Sequence, residues 1–251
     1  MKTLHCFLLS LFFSLALHAS DRDSVLLRAE QYYRQSDFSK AIVEYQSLVD
    51  AGWTSAELYY NLGNACFRNN DLKSAILYYE RAKRIEPNDE AINKNLNLSY
   101  SLIFDKVEAV PELFIIIWGK AIRDLMSVRT WSWCSICSFI AMLALTLIFL
   151  FAHKMSIRRF AFTTGSLCLL FSIASFSMAY LQKANIERTD YAIVFTPSVT
   201  VKSSPEDSGA NLFIVHEGIK VHIEDRIDDW YFVRIADGNK GWIRAGDLKI
   251  I

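Results

Sequence analysis

The segment Ala56–Asp89 constrains the fold more than any other, because its pattern of small and large residues recurs upstream at a fixed spacing. Counted from its first residue, Gly63 and Ala75 fall at positions 8 and 20, where two antiparallel helices would touch. Pro87 falls at position 32 and predicts the end of the second helix. Asn69–Asp71 predicts the turn between the two helices. The pattern therefore predicts a helical hairpin that stacks on similar hairpins.

Two less regular copies flank this unit. Residues 22–55 form the earlier copy in the same register, with Ala41 and Tyr45 at positions 20 and 24. An outermost copy is expected to be atypical, because one of its faces meets water. Residues 90–105 begin a third copy, but no second helix follows, so they predict a capping helix. Arrays of this kind generally need about three units for stability. We therefore expect the array to lean on the membrane or on a partner.

The unit resembles the tetratricopeptide repeat in its length, its small residues and its terminal proline. The resemblance implies a scaffold that binds other proteins, so we predict no enzymatic activity and no cofactor. It also implies an inner groove lined by the first helix of each repeat, which suits peptide segments, including carboxylate ends. The alternative is a solvated face without a ligand. The candidate groove residues are Tyr33, Arg34, Tyr60, Asn64, Phe67, Arg68 and Lys94.

Composition bounds the rest of the chain. Its 251 residues allow about two small domains, and 52% of them are hydrophobic. The positive mean hydropathy indicates membrane content. The formal net charge is zero, so the sequence lacks the basic footprint of a nucleic-acid-binding protein, and we expect no nucleic-acid partner.

The sequence predicts a secretory signal and two membrane spans. Residues 1–20 combine Lys2 with an apolar run and end in small residues, which predicts a signal peptide; the alternative is an uncleaved anchor. Residues 131–152 and 160–181 are each long and apolar enough to cross a bilayer. The short basic segment 153–159 between them predicts a cytoplasmic loop. This topology places the repeats and the C-terminal domain on the periplasmic side of a bacterial inner membrane.

Residues 111–126 predict an amphipathic helix, with Pro111 at its start. Phe114, Ile117 and Trp118 begin an apolar face at helical spacing, and charged residues lie opposite. The apolar run is too short to span a bilayer. A helix on the membrane surface and a helix packed on the repeats both fit this pattern.

From residue 190 onward, short alternating segments predict a small all-β barrel that protects its edges by closure. Ala236–Asn239 is a hairpin turn signal between two of the strands. The order of motifs over residues 190–251, including Asp229–Tyr231 and Gly241–Ile243, resembles a bacterial SH3 domain. The resemblance implies a binding module at the C-terminal end of the sequence.

Aromatic residues make this module a second candidate site. Trp230, Tyr231 and Trp242 are a candidate ligand surface for peptide or peptidoglycan. The interpretation we favour is that Trp230 and Trp242 form the core of the hairpin, because aromatic residues commonly build sheets of this kind.

One chemical motif competes with the scaffold hypothesis. Cys134 and Cys137 have the Cys-x-x-Cys spacing of a redox pair, which needs a helix start to activate the first thiol. No βαβ pattern surrounds the motif, and it lies at the entrance of the first span, so we favour two cysteines that act as small apolar residues. The sequence has no His-Glu-x-x-His motif, phosphate loop or serine elbow, and we predict no metal site and no catalytic residue.

The complete order of segments resembles the BatE family of bacterial aerotolerance (Bat) operons. The resemblance implies a multidomain membrane protein made of α-helical tetratricopeptide repeats, a two-helix transmembrane hairpin and a small SH3-like barrel. It also implies von Willebrand A-domain Bat proteins and a MoxR-type ATPase system as partners. The leading hypothesis is an inner-membrane adaptor for envelope proteins. The alternatives are a cell-wall or peptide-binding module and, more remotely, a thiol redox protein that uses Cys134 and Cys137.

Overall fold

The computed structural model describes residues 22–106 and 113–251. They divide into two compact units. The first unit joins the helical repeats to the C-terminal β-strands, and the second unit holds the segment between them together with Ile85–Asn88. The predicted signal peptide, residues 1–20, lies outside the described residues, and so does Pro111.

The helical repeats of the first unit form what we call the helical domain. Its helices are α1 over residues 22–34, α2 Phe38–Asp50, α3 Ala56–Arg68, α4 Leu72–Ile85 and α5 Glu90–Leu102. The first two helices form one hairpin and the next two form another, while α5 stands alone after them. Helical repeats are therefore confirmed in the fold.

The two hairpins turn in the same way at equivalent positions of the two repeats. Ser36 and Asn70 both adopt a left-handed backbone conformation, with φ of 61° and 60°. The next residue in each turn, Asp37 or Asp71, accepts a hydrogen bond from the N–H three residues further on, at 3.3 Å in both cases. The first copy, although atypical in sequence, thus begins its second helix by the same local rules as the second copy.

Gly63 marks the closest approach of the helices in the second hairpin. A Cβ atom added to Gly63 would lie 2.7 Å from ring carbons of Tyr79. That ring is almost fully buried, and its hydroxyl donates to the side-chain oxygen of Asn64 at 2.7 Å. The small residue at position 8 of the repeat is explained by this ring, which packs directly against the backbone of α3.

The C-terminal residues 191–251 form what we call the β domain. In the described chain its strands are β1 Tyr191–Val194, β2 Ser198–Lys202, β3 Asn211–His216, β4 Lys220–Ile227, β5 Trp230–Arg234, β6 Lys240–Arg244 and β7 Leu248–Ile250. They pair into one antiparallel sheet in the order β3-β2-β6-β5-β4-β1-β7. Its apolar core is centred on Val201, Val221 and Val233, each fully buried.

The all-β fold of this region is confirmed, but the prediction of a closed barrel is wrong. The edge strands β3 and β7 do not pair with each other, so the sheet is open. The pairing between β2 and β6 is also short, because Lys202 and Trp242 are the one pair of residues in register between these strands. β7 is only three residues long and carries too little alternation to be predicted as a strand.

The second unit contains α6 Phe114–Asp124, α7 Val128–Phe151 and α8 Met155–Ile186. By length and composition, α7 and α8 can each cross a membrane. They pack together through small and polar residues. The hydroxyl of Ser135 donates to the carbonyl of Ser172 at 3.0 Å, and the hydroxyl of Ser172 donates to the carbonyl of Ser135 at 2.9 Å. The buried residues of α8 are Ala161, Gly165, Ser172, Ser175, Ala179 and Gln182.

The connection between these two helices is shorter than the sequence predicts. α8 begins at Met155, so most of the predicted basic loop 153–159 is helical. Arginine is a good helix former, which explains why the helix extends into the basic segment. The guanidinium of Arg158 lies 5.0 Å above the ring of Phe149 at the end of α7.

The predicted amphipathic helix 111–126 corresponds to α6, which has no buried residue. Its apolar side chains are exposed within the second unit, and Trp118 reaches 68% exposure. The two sequence interpretations of this helix, on the membrane surface or packed on the repeats, both stay predictions.

Candidate functional site

The inner face of the helical domain carries a concave cavity of about 220 Å³. Three first helices contribute to it, namely α1, α3 and α5. The residues that line the cavity are Tyr33, Asn64, Phe67, Arg68, Tyr79, Asn95 and Leu98. We call this cavity the groove.

The structure brings together part of the predicted groove set. Tyr33, Asn64, Phe67 and Arg68 line the groove. Tyr60 lies beside it, because its hydroxyl accepts a hydrogen bond from the groove residue Asn95 at 3.2 Å. The remaining two predicted residues are exposed and do not belong to the lining. They are Arg34, which pairs with Glu30 at 3.6 Å, and Lys94.

A hydrogen-bond network fixes the floor of the groove. The side-chain oxygen of Asn64 accepts from the hydroxyl of Tyr79 at 2.7 Å and from the amide of Asn95 at 2.9 Å. Burial raises the pKa of Tyr79 far above its ordinary value, so this hydroxyl stays protonated and remains a donor. Because its oxygen is committed to these two donors, the Asn64 side chain presents its amide N–H groups to a ligand.

Asn95 is a groove residue that the sequence analysis missed. It occupies position 6 of the third copy when Glu90 is counted as position 1. The predicted groove set contains no residue from position 6 of any copy, so the repeat register did not identify Asn95. The segment that contains Asn95 was predicted to be a capping helix. A single polar residue in such a helix is not by itself a sign of a binding groove.

Aromatic rings and one cation form the wall of the groove. Phe38 joins Tyr33 with ring centroids 5.4 Å apart. The guanidinium of Arg68 lies 5.1 Å above the ring of Phe38, which holds this exposed cation at the edge of the groove. The groove thus offers aromatic surface, amide donors and a fixed positive charge, which together suit a peptide that carries an acidic group.

The β domain presents a second candidate surface on the outer face of β5 and β6. Phe232 stands opposite Trp242 in the strand register, with ring centroids 5.1 Å apart. Trp230 stands opposite Arg244, whose guanidinium lies 5.0 Å above the indole ring. We call these three rings and the arginine the aromatic face.

The aromatic face changes the sequence prediction in two ways. Trp230 and Trp242 are only partly buried and lie outside the apolar core, so the interpretation that they form the hairpin core is wrong. Tyr231 projects to the opposite side of β5, where it packs against the core. Phe232 takes its place on the outer face, and strict alternation along the strand contains the signal that would have identified it.

The cysteines of the described chain are free thiols. Cys134 and Cys137 lie inside α7, which begins at Val128. The unpaired N–H groups that can activate a thiol belong to the first turn of a helix. Cys134 lies beyond that turn. Cys66 is almost fully buried in the helical domain, and burial raises its pKa to about 12. The described residues also contain no group of three or more His, Cys, Asp or Glu side chains placed to hold a metal ion.

Comparison with known proteins identifies the central repeat. Residues 56–89 match the family model described as the tetratricopeptide repeat. This match agrees with the hairpin of α3 and α4 and with the packing of Gly63 against Tyr79. It indicates a role in protein–protein interaction, since the repeat is a non-catalytic interaction module. No curated protein sequence matches the chain.

Proposed function

We propose that the protein is a membrane-anchored, non-catalytic adaptor that holds a segment of another protein in the groove. The observation that carries the proposal is the floor of the groove, where Asn64 is fixed by Tyr79 and Asn95 beneath an exposed Arg68. A preordered donor set loses less entropy when a ligand binds. The chemistry favours an extended peptide with an acidic side chain or a free carboxylate.

The anchor in this proposal is the pair α7 and α8, which supplies two helices of sufficient length and apolar character. The domain order supports a bacterial inner membrane, with the repeats and the β domain in the periplasm and the basic segment 153–159 in the cytoplasm. The same order supports a Bat-type stress complex, with von Willebrand A-domain proteins and a MoxR-type ATPase system as neighbours. Envelope proteins are the corresponding class of partner.

The groove is tested by capture of envelope proteins with the full-length protein in detergent. A variant with Tyr60→Ala and Arg68→Glu changes one aromatic residue beside the groove and one charge at its edge, and neither residue is fully buried. Circular dichroism checks that the variant is folded, because the ring of Tyr60 lies 6.0 Å from that of Tyr79. We expect it to lose at least about 90% of the recovered partner, which corresponds to about 1.4 kcal/mol of binding free energy. Lys83→Glu is the charge-matched control, because Lys83 lies on α4 and does not line the groove. Equal recovery by both variants would contradict the proposal.

The orientation is tested separately with topology reporters fused after Asp105, at Ser156 and after Ile251. We expect periplasmic signals from the first and third fusions and a cytoplasmic signal from the second. Cytoplasmic signals from both outer positions would reverse the proposed orientation while leaving the groove proposal intact.

The aromatic face favours a second function, in which the β domain binds peptide or peptidoglycan. Its outward rings and Arg244 resemble the surfaces on which proteins stack ligands. The test is co-sedimentation of the full-length protein with purified cell-wall sacculi. Trp242→Ala should reduce binding about tenfold, whereas Tyr231→Phe, on the opposite side of the strand, should not. Absence of binding by the unmodified protein would exclude peptidoglycan as the ligand of this face.

A further inference from the structure

Among the described residues of the first unit, the third repeat has a first helix, α5, and no second helix. α5 occupies the place in its repeat that α3 occupies in the preceding one, yet the described chain that follows α5, residues 103–106, is not helical. In a longer array, the second helix of that repeat would cover the neighbouring faces of α4 and α5. Within the first unit, residues of the β domain instead contact α4 and Ile103, the residue that follows α5.

A buried carboxylate joins the two domains. Glu80 on α4 is only 5% exposed. One of its oxygens accepts from the hydroxyl of Tyr100 on α5 at 2.7 Å, and the other accepts from the ammonium of Lys220 on β4 at 2.6 Å. A buried charge is costly unless it is paired, and the cation that contacts this carboxylate, Lys220, comes from the β domain.

The open sheet depends on the helices in return. At the β7 edge, Arg81 donates to the carbonyl of Ile250 at 2.7 Å, and Arg84 donates to the carbonyl of Ile251 at 2.5 Å. At the β3 edge, the carboxylate of Asp105 accepts from the backbone N–H of His216 at 2.8 Å. Unpaired edge groups are a liability in β proteins. Here side chains of the helical domain satisfy groups at both edges.

An apolar contact seals the junction. Gly218, in the turn between β3 and β4, has φ of +90°, and a Cβ atom added to it would lie 2.7 Å from Cγ2 of Ile103 and 3.3 Å from Cδ1 of Ile76. The turn therefore needs glycine both for its backbone conformation and for its close approach to the helices. Glu217, the residue before Gly218, forms an ion pair with Lys73 of α4 at 2.7 Å.

We propose that the β domain takes the place of the missing repeat helix, and that the helices take the place of barrel closure, so that neither domain is complete without the other. The partner of this helical surface is thus the chain's own β domain. The two domains are separated in sequence by α7 and α8, and two helices that both cross a membrane would return the chain to the side from which it entered. This inference does not depend on what the groove binds.

The first test is a designed disulfide between the domains. A Cβ atom on Gly218 would lie 3.7 Å from the Cβ atom of Ile103, within the range of about 3.5–4.5 Å found in disulfides. Ile103→Cys with Gly218→Cys, in a full-length chain whose other cysteines are replaced by alanine, should form the bond when oxidised glutathione is added. Mass spectrometry of the digested protein identifies the linked peptides. Cysteine at position 103 removes the Cγ2 atom that would otherwise collide with residue 218, whereas the φ of +90° strains a cysteine at position 218. The folded state of the designed pair is therefore confirmed by circular dichroism before its linkage is compared.

The matched control pairs Ile103→Cys with Gly246→Cys, which places the second thiol in open surroundings on the same domain. We expect the designed pair to link at least about tenfold more than the control pair at equal oxidant. Equal linkage, or no linkage in a folded designed pair, would overturn the proposed docking.

The second test measures whether the stability of the helical domain depends on the β domain. Lys220→Met removes the cation beside Glu80, and we expect amide hydrogen exchange in α4 and α5 to become at least about tenfold faster. Adding Glu80→Gln should restore much of the protection, because the buried charge is then gone. Lys240→Met is the control, since Lys240 pairs with Glu224 within the β domain at 2.8 Å. If Lys220→Met and Lys240→Met affect α4 equally, the two domains fold independently and the proposal is wrong.

Discussion

At the scale of single residues, Gly63 leaves no room for a larger side chain in the second repeat. Gly63→Ala would place a methyl group 2.7 Å from the buried ring of Tyr79. Overpacking of this kind costs about 1–3 kcal/mol, while the gain in helix propensity is at most about 1 kcal/mol. We expect a net loss of stability, measured as a lower urea midpoint of the full-length protein in detergent.

A second variant separates this collision from a general effect of the alanine. In a Tyr79→Leu background the ring is absent, so the added methyl group of Gly63→Ala has room and should cost much less. A double-mutant cycle gives the difference as a coupling energy between the two positions. Additive effects would show that the collision with Tyr79 is not the cause.

Cys66 predicts a dependence of stability on alkaline pH. Burial raises its pKa from 9.0 to about 12, so the folded protein keeps a proton that the unfolded chain loses above about pH 9. The unfolded state then binds fewer protons than the folded state, and stability falls as the pH rises from about 9 towards 12. Below pH 9 this contribution is fully present.

Cys66→Ala tests that contribution through the change in unfolding free energy between two pH values. The cost of the smaller side chain is the same at both pH values, so it cancels in this difference. Between neutral pH and about pH 10.5 the variant should lose about 2 kcal/mol less stability than the unmodified protein, at about 1.36 kcal/mol per pH unit above pH 9. Urea unfolding at the two pH values provides the measurement. Identical losses would mean that the thiol of Cys66 ionises in the folded protein as readily as in the unfolded chain.

At the scale of elements, the pair α7 and α8 depends on the small face of α8. Ser172 is buried against α7 and exchanges hydrogen bonds with Ser135. Ser172→Leu removes bonds worth about 0.6–1.7 kcal/mol in a membrane and forces a large side chain between the helices, at about 1–3 kcal/mol. We expect the thermal unfolding midpoint of the helix pair to be lower. Circular dichroism of the protein in lipid nanodiscs measures this midpoint.

Ser177→Leu is the matched control for this prediction. Ser177 lies on the same helix but on its exposed face, so leucine there meets lipid and not α7. A neutral or slightly stabilising effect is expected at this position. If both leucine variants lower the midpoint equally, the buried face of α8 is not the contact that holds the pair together.

The elements also show which parts of the fold the sequence can predict. The turns at Ser36 and Asn70 follow from local chemistry that recurs at the same position of each repeat, so the helical hairpins were predictable. The two long apolar helices were predictable from length and composition, although α8 extends into the basic segment. β7 was not predictable, because its place beside β1 depends on contacts made far away in the chain.

At the scale of the whole molecule, the open sheet was the feature least accessible to sequence reasoning. A short all-β segment by itself favours closure, because closure removes exposed edges. Here Arg81 and Asp105 form hydrogen bonds with backbone groups at the two edges of the sheet. Both residues precede the β domain by more than eighty positions in the sequence. Similarly, the groove required a distant residue, Asn95, to fix Asn64. Long-range partners of this kind leave no local pattern in either segment.

The apolar face of α6 predicts how the protein contacts lipid outside its two long helices. An interfacial helix buries this face roughly 5–10 Å into the boundary between headgroups and acyl chains. Ala121 lies within the apolar face, whereas Gly119 lies about 160° away from it around the helix. Both positions are exposed within the second unit. We therefore compare Ala121→Cys with Gly119→Cys in chains that lack other cysteines.

In lipid nanodiscs, a water-soluble maleimide should label Gly119→Cys at least about tenfold faster than Ala121→Cys, because lipid shields only the apolar face. Denaturation should abolish the difference, which excludes an intrinsic difference in thiol reactivity. The result should depend on lipid: in mild detergent without a bilayer, the two rates should approach each other. Protection of Ala121→Cys that persists there would point instead to a protein surface, and equal labelling in nanodiscs would show that α6 does not lie in the interface.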